Sequence, residues 1–507
     1  MNELNIKVVK RTSLRGAANI LSDNGRHPLT AMFGRDETLN EDVKGYAVYV
    51  VFENIDEHRM ETLKAVFSLD EPLEYESLTP IIPAAVWYER EIKDMFGITP
   101  SGHPDPRPLV LHESFPSNFH PLLKSVAKNA KAIGERQYDM AKASGEGVFQ
   151  VPVGPIHAGI IEPGHFRFSQ AGESMLNLDA KLFFTHRGLE KIMEDKAPSE
   201  ALPIVERICG ACSIANTWSY AQAIESIASV KVPYRAELIR TLLSELERIT
   251  NHVGDLGNMP AGVGFSPAIS LGARTKEMLM NLQEKIAGNR FLRGMIIIGG
   301  VKNDITAELI ADIRQLLKTV AQNVEDLNAE FLEQANFQNR VRTTGIVRNN
   351  TAIDLAMVGV GARASSYAHD SRHDFSFGVY PQLDFKIVTE KSGDVAARLN
   401  VRVRELRASF SMVEKLLLWL ENDNSGDLIA KVESNNLTGE SYGICESARG
   451  SNFHYVALKN GKIDRIFVRS ASYPNWPALP IAVQGDIIPD FPLINKSFEL
   501  CYACLDR

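Results

Sequence analysis

What this sequence has little of narrows it first. Five cysteines in 507 residues are too few for a disulfide-built secreted scaffold, because such scaffolds are small and cysteine-dense. They fit a reducing compartment, so the cytoplasm is the expected location. There is no long run of Lys and Arg, and a formal net charge of -8 leaves no electrostatic footprint for nucleic acid. Nowhere do about 18 uncharged apolar residues follow one another, as a membrane-spanning helix requires. The opening "MNELNIKVVKRTSLRGAANIL" also lacks the apolar core of an export signal. No internal repeat or low-complexity tract is present. Ordinary globular composition remains, with enough chain for two domains and a large core.

The pattern of what is there changes along the chain. Up to about residue 118, strand-like runs such as "YAVYVVFEN" mix with an amphipathic helix candidate, "PAAVWYEREIKDMFG", which starts after Pro83 and stops at Gly97. The following "ITPSGHPDPRPLVLHESFP" is too rich in Pro and Gly for regular structure, so it is expected to lie extended along the surface. A small α+β domain over 1–118 is the reading. A charged, weakly periodic connector, 119–148, follows and is expected to be partly helical. Beyond it the period turns helical. Leu238, Leu242, Leu246, Ile249, Val253 and Leu256 form one stripe, ending at Gly257 ahead of Pro260. Two further stripes run from about Thr306 to Phe331 and from about Asp394 to Leu420. Helices of about 25 residues are roughly 37 Å long and pack side by side. The segment 149–507 is therefore read as a large, mainly helical domain centred on a bundle, closed by strands and loops after "SYGICESARG". The fold class overall is α+β.

Four of the five cysteines form two C-x-x-C pairs, "RICGAC" at Cys209 and Cys212 and "CYAC" at Cys501 and Cys504, the second within a few residues of the last position. Thiolates suit nickel, zinc, copper(I) or iron-sulfur clusters. The residues after Cys212 read as a helix, which would place both sulfurs of the first pair near its N-terminus, where the dipole favours thiolate. Paired C-x-x-C is commonly a structural zinc site, and a redox disulfide at each pair is another reading. Against zinc, the pairs lie far apart in a chain with a core of its own, whereas zinc ribbons gather their ligands locally to stabilise small folds. A catalytic metal centre, closed by the end of the chain, is the third reading. The lone Cys445 is read as a packed core thiol.

From about Val151 to Arg507 the sequence resembles the large subunit of nickel-iron hydrogenases. The likeness is to the group 4 energy-converting, membrane-associated set related to respiratory complex I, of the formate hydrogenlyase type. It is carried in order by "VPVGPIHAGIIEPGHFRF", "LFFTHRGLEK", "ERICGAC", "ELERITNHVGDLG", "IIIGGVKND", "TTGIVRNNTAIDLAMVGVGARAS", "ESARGSNFHY", "VRSASYPNWPAL" and "CYACLDR". The N-terminal part is similar to the complex I 30-kDa subunit through "WYEREIKDMFGITPSGHPDPRPLVLHE".

The resemblance implies reversible dihydrogen chemistry at a nickel held by Cys209, Cys212, Cys501 and Cys504. Cys212 and Cys504 would bridge to an iron that carries cyanide and carbon monoxide. It also implies a proton-transfer role for Glu162, a guanidinium from Arg449 over the open metal face, and acidic groups around the ligands at Asp255 and Glu499. Glu190 would help bind a further Mg or Fe cation. Electrons would pass to an iron-sulfur small subunit like the complex I 20-kDa subunit, to ferredoxin-like subunits and to integral membrane subunits, because this chain has no cysteines left for a cluster of its own. That places the chain on the inner face of the cell membrane through its partners. Two features depart from the family pattern: Glu499-Leu500 replaces Asp-Pro, and Asn216 stands where many relatives have His. Family precursors carry a tail that is clipped beyond the arginine matched by Arg507, so the resemblance implies either a processed chain or one encoded without a tail. The alternatives are a complex I-like quinone-site subunit, whose relatives lack the four cysteines, and a zinc-bearing scaffold without turnover.

Overall fold

The structure is a computed structural model describing all residues except 1–3, 40–43, 137, 158–160, 376, 424–425 and 434. Residues 158–160 belong to the "GPIHAGIIEPGHF" motif, so that part of it lies outside the described residues.

The N-terminal region builds a four-stranded sheet from β1 (Asn5–Lys10), β2 (Leu29–Asp36), β3 (Gly45–Asn54) and β4 (Arg59–Ser68), in the order β1-β4-β3-β2. β1 runs parallel to β4, and the other pairs are antiparallel. Helix α1 (Leu14–Ser22) crosses from β1, and α2 (Val86–Phe96) ends on Gly97 at φ 75°, as the sequence suggests. β2 and β3 are buried along nearly their whole length, a pattern that belongs to a sheet covered on both faces. One cover comes from the far end of the chain: Phe33 stacks on Phe467 at 4.8 Å and lies 4.6 Å from Tyr455.

α2 is less amphipathic in place than its sequence suggests, because Glu89, Arg90, Glu91 and Asp94 are all buried. Asp94 accepts from the backbone amides of Leu109, Val110 and Leu111 at 2.8, 2.9 and 3.2 Å. The Pro-rich segment thus lies extended, held by one carboxylate that satisfies three amides. The expected helical turns in 124–147 do not form. The described residues there are turns and irregular chain, since few apolar side chains recur at a helical spacing to bury a face.

A three-stranded sheet, β5 (Val148–Val153), β6 (His165–Ala171) and β7 (Ser174–Lys181), leads into the helical part. There α3 (Ser213–Ile227), α4 (Tyr234–Asn258), α5 (Ser266–Ala287), α6 (Ala307–Glu333) and α7 (Val395–Asn422) follow in turn. α4 packs between α5 and α7, while α6 closes the bundle against both of those. Three of these four bundle helices match the three apolar stripes. α5 has no such stripe, because its buried face mixes Ala268, Gly272 and Thr275 with Leu279 and Leu282. Glycine there lets α5 approach α4: a Cβ on Gly272 would lie 2.3 Å from the Gly257 Cα. A meander of β8 (Gly439–Ser447), β9 (Gly450–Lys459) and β10 (Lys462–Arg469) then packs on α3. The chain finishes in short helices, the last being α8 (Tyr502–Asp506), where loops had been expected. No helix among the described residues is long and apolar enough to cross a membrane.

Candidate metal centre

The two cysteine pairs meet. Cys209 Sγ lies 3.3 Å from Cys501 Sγ across 292 residues of sequence, and the sulfurs of Cys209, Cys501 and Cys504 all lie within 4.8 Å of one another. Cys212 completes the group through its contact with Cys209. Cys209, Cys212 and Cys504 are buried, and Cys501 is partly so.

Cys212 is the residue before the first turn of α3, and Cys209 lies in the loop ahead of it. Both cysteines thus stand at the N-terminus of the helix, as expected, but its first amides do not point at the sulfurs. The first free amides of α3 go instead to the buried Glu247 carboxylate, at 2.7 Å from Ile214 N and 3.2 Å from Ala215 N. The loop amide of Ala211 donates to Cys209 Sγ at 3.2 Å. Burial raises the Glu247 carboxyl to about 8 against those two amides, with the Cys209 charge adding to the rise.

Cys501 sits at the start of α8, accepting from Cys504 N at 3.4 Å, while its own amide donates to Ser472 Oγ at 2.9 Å. The terminal turn is fastened from the first half of the molecule. Asp506 accepts from the amides of Phe183 and Thr185 at 3.0 and 2.9 Å and from Thr185 Oγ1 at 2.7 Å. Arg187 donates to the Ala503 carbonyl at 2.6 Å.

Three thiols donate toward Cys209, which pulls it well below the ordinary thiol range; Cys212 is the largest contributor. Giving that hydrogen bond, together with burial, pushes Cys212 well up. Cys501 is raised by the same donation, and Cys504 chiefly by burial. These opposed shifts favour Cys209 as the thiolate of the group, and a cation among the sulfurs would favour thiolate at the others. A soft metal ion is such a cation. With metal-sulfur distances near 2.3 Å, sulfurs around one ion in a tetrahedral site stand about 3.8 Å apart, and the 3.3 Å between Cys209 and Cys501 is close to that size. Ser213 and Asn216, on the first turns of α3, also carry buried polar side-chain atoms without a partner.

Beside the sulfurs, Arg449 is fixed by three groups: the Glu499 carbonyl at Nε, Asn251 Oδ1 at 3.2 Å and Asp255 Oδ1 at 3.2 Å. Burial works against its charge, but Asp255, Cys212 and Glu499 outweigh it and hold the guanidinium protonated. Asp255 also accepts from Arg402 Nε at 3.0 Å. Burial opposes its ionised form, yet Arg449 and Arg402 bring it well below the carboxylate range. Glu499 moves the other way, raised by burial and by the Asp255 charge, and accepts from Asn258 Nδ2 at 2.7 Å. Glu162 is half-buried. Its charge, after burial, helps raise the Tyr502 hydroxyl to about 12, and no hydrogen bond from it to a cysteine is among those described.

Glu190 is elsewhere. Its oxygens accept from Arg465 at 2.6 Å, Arg507 at 3.0 Å and the Val468 amide at 3.0 Å. A cation at Glu190 would have to displace one of those two guanidiniums, so its contacts are those of a buried ion-pair partner of Arg507. Cys445 is fully buried in β8, away from the cluster, with its thiol raised by burial.

Sequence reasoning missed Asn251, Glu247, Arg402 and Ser472. The signal for the first two was within "ELERITNHVGDLG": Glu247, Asn251 and Asp255 recur at i, i+4, i+8 and so share one face of α4.

Comparison with known proteins agrees with this geometry. The family described as "Respiratory-chain NADH dehydrogenase, 49 Kd subunit" matches residues 262–437 and 428–507. The corresponding 30 Kd subunit family matches 7–132, and "Nickel-dependent hydrogenase" matches 187–255. Formate hydrogenlyase subunit 5 of Escherichia coli K12 is 33% identical over 494 residues, covering 94% of this chain and 84% of that protein. The chain belongs to the large subunits of group 4, energy-converting nickel-iron hydrogenases. This hydrogenase subunit is also 33% identical over 376 residues to the membrane-bound hydrogenase subunit alpha of Pyrococcus furiosus, covering 71% of this chain and 87% of that one. In structure it is similar to a chain of an archaeal membrane-bound sulfane sulfur reductase, at TM-score 0.67 and 26% identity, over 71% of this chain and 99% of the other. Related folds thus occur in complexes named for different reactions.

Proposed function

We propose that the chain interconverts dihydrogen with protons and electrons, running mainly as proton reduction with electrons from a low-potential donor, ferredoxin or formate, through partner subunits. The observation that carries this reading is the meeting of Cys209, Cys501 and Cys504 from two distant pairs at one point, with Cys212 interacting with Cys209. Cys209, Cys212, Cys501 and Cys504 would hold nickel, with Cys212 and Cys504 shared with an iron bearing cyanide and carbon monoxide. Bound there, the metal pair supplies the electron-pair chemistry by which dihydrogen is split or made. The chain's own part is to hold the metals and handle the proton. Arg449, fixed on three sides, presents a permanent positive charge to the site and to any negative charge that develops there. Asp255 and Glu499 orient it, and Glu162, beside Tyr502, carries protons outward. The division into an assembly domain over 1–118, a connector over 119–148 and a catalytic domain over 149–507 goes with this reading. So do an iron-sulfur small subunit, ferredoxin-like subunits and membrane subunits, which would hold the chain on the inner face of the membrane.

Metal analysis and infrared spectra of the purified complex test the proposal. Nickel and iron, with absorptions from bound cyanide and carbon monoxide, are expected, and zinc without nickel would refute it. Cys504→Ala should abolish dihydrogen activity. A zinc-bearing scaffold would lose only assembly.

A further inference from the structure

α4 offers the site one more group that the reading above does not use. His252, one turn before Asp255, is fully buried. Its Nε2 lies 2.8 Å from Glu405 Oε2 on α7. Its Nδ1 is buried with no hydrogen-bond partner and stands 3.9 Å from Asp255 Oδ2. A core histidine normally satisfies both nitrogens, since leaving one unpaired costs about 1–3 kcal/mol. Here the unpaired nitrogen stands near the carboxylate that holds Arg449.

The charged groups around it are disposed for two states. Asp255 faces it from α4, Glu405 and Arg402 from α7, and Arg363, which donates to Glu405 Oε1 at 2.7 Å and to Glu446 at 2.8 Å, closes the far side. Burial opposes ionisation of both carboxylates, yet the arginines hold Asp255 and Glu405 well below the usual range. Nδ1 stands 3.9 Å from Asp255 Oδ2, beyond hydrogen-bond reach. An imidazolium would donate to both acids and close the gap.

We propose that His252, clamped between Glu405 and Asp255, holds a proton in transit to or from the metal centre. It acts through Asp255 and so sets the charge that orients Arg449. In the step, a proton passes by way of Asp255 to Nδ1. The Asp255 O–H bond breaks as the Nδ1–H bond forms, Nε2–H goes on donating to Glu405, Asp255 returns to carboxylate and no electron moves. The step reverses when the proton leaves.

This inference rests on the hydrogenase reading, and the test separates the two. In the purified complex, His252→Gln and Glu405→Gln should retain nickel. Both should lose a one-proton inflection from the pH profile of deuterium-gas exchange with water, with exchange about 10-fold slower where the parent is fastest. Independently of turnover, infrared titration of the complex labelled with 15N-histidine should show an imidazolium band that disappears in His252→Gln. No nickel and no exchange in the parent complex would refute the hydrogenase reading itself. A profile superimposable on an active parent would overturn the role of His252. Should the variants fail to load nickel, absence of a titrating histidine band in the parent would overturn it instead.

Discussion

Arg449 shows how much one side chain can do when every nitrogen has a fixed partner. Its contacts to the Glu499 carbonyl, Asn251 and Asp255 need a planar fork, which an ammonium cannot reproduce. Each charged hydrogen bond lost is worth about 1.5–3 kcal/mol, or roughly 10- to 100-fold in rate if it acts in the transition state. Arg449→Lys is therefore expected to keep nickel and lose at least about 10-fold in dihydrogen turnover. Nickel content and hydrogen evolution measured on one preparation check it, and unimpaired evolution would remove Arg449 from the site chemistry. Glu162 makes a complementary case, because its charge reaches Tyr502 and no hydrogen bond from it to a sulfur is found among the described residues. Glu162→Gln should leave the metals in place and slow the appearance of HD when deuterium gas is supplied in light water. Equal rates would mean that protons leave by another path.

At the scale of elements, α8 is five residues long and too short to hold its shape alone. Its position depends on Asp506, which satisfies two amides and a hydroxyl of the 183–185 segment. Asp506→Ala leaves those donors unpaired and should cost about 3 kcal/mol locally. The expected result is loss of most of the nickel with circular dichroism nearly unchanged; full retention would show that other contacts suffice. The same scale separates what could be read in the sequence from what could not. α4, α6 and α7 were legible because their apolar residues recur at the helical period. α5 was not, since close packing at Gly257 and Gly272 replaces apolar bulk with absence of bulk. The convergence of the cysteines followed from their pairing and from the resemblance. The groups around them did not: Arg248, His252, Arg363, Arg402 and Glu405 are buried, yet charged residues in helices ordinarily read as solvent-facing. Only the fold reveals that they neutralise one another.

The whole molecule is joined by the same kind of pairing. The N-terminal sheet and the catalytic part share one apolar core, and buried charges cross between them. Glu91 on α2 pairs with Arg507 at 2.6 Å, and Arg35 on β2 reaches Glu440 at 2.6 Å and Asp464 at 2.9 Å. Glu53 on β3 pairs with His369. Burial alone would lower the histidine, but the charge and hydrogen bond of Glu53 raise it from 6.5 to about 9. Burial likewise opposes the Glu53 carboxylate, which His369 returns to below its ordinary value of 4.5.

The histidine binds its proton more tightly folded than unfolded, so its contribution is complete below pH 6.5 and disappears as pH rises through about 9. Glu53 contributes above pH 4.5 and loses its share as pH falls. Their attachment should be firmest between pH 4.5 and 6.5. It should weaken by on the order of 3 kcal/mol toward alkaline pH. In melting curves of the purified complex, the transition of this subunit should fall by roughly 3 °C between about pH 6.5 and 9. Glu53→Gln should lower it at the acid end and flatten the slope, because a neutral amide cannot hold the imidazolium. A slope that survives the substitution would assign the alkaline loss to other groups and leave the apolar core as the main bond between the two parts.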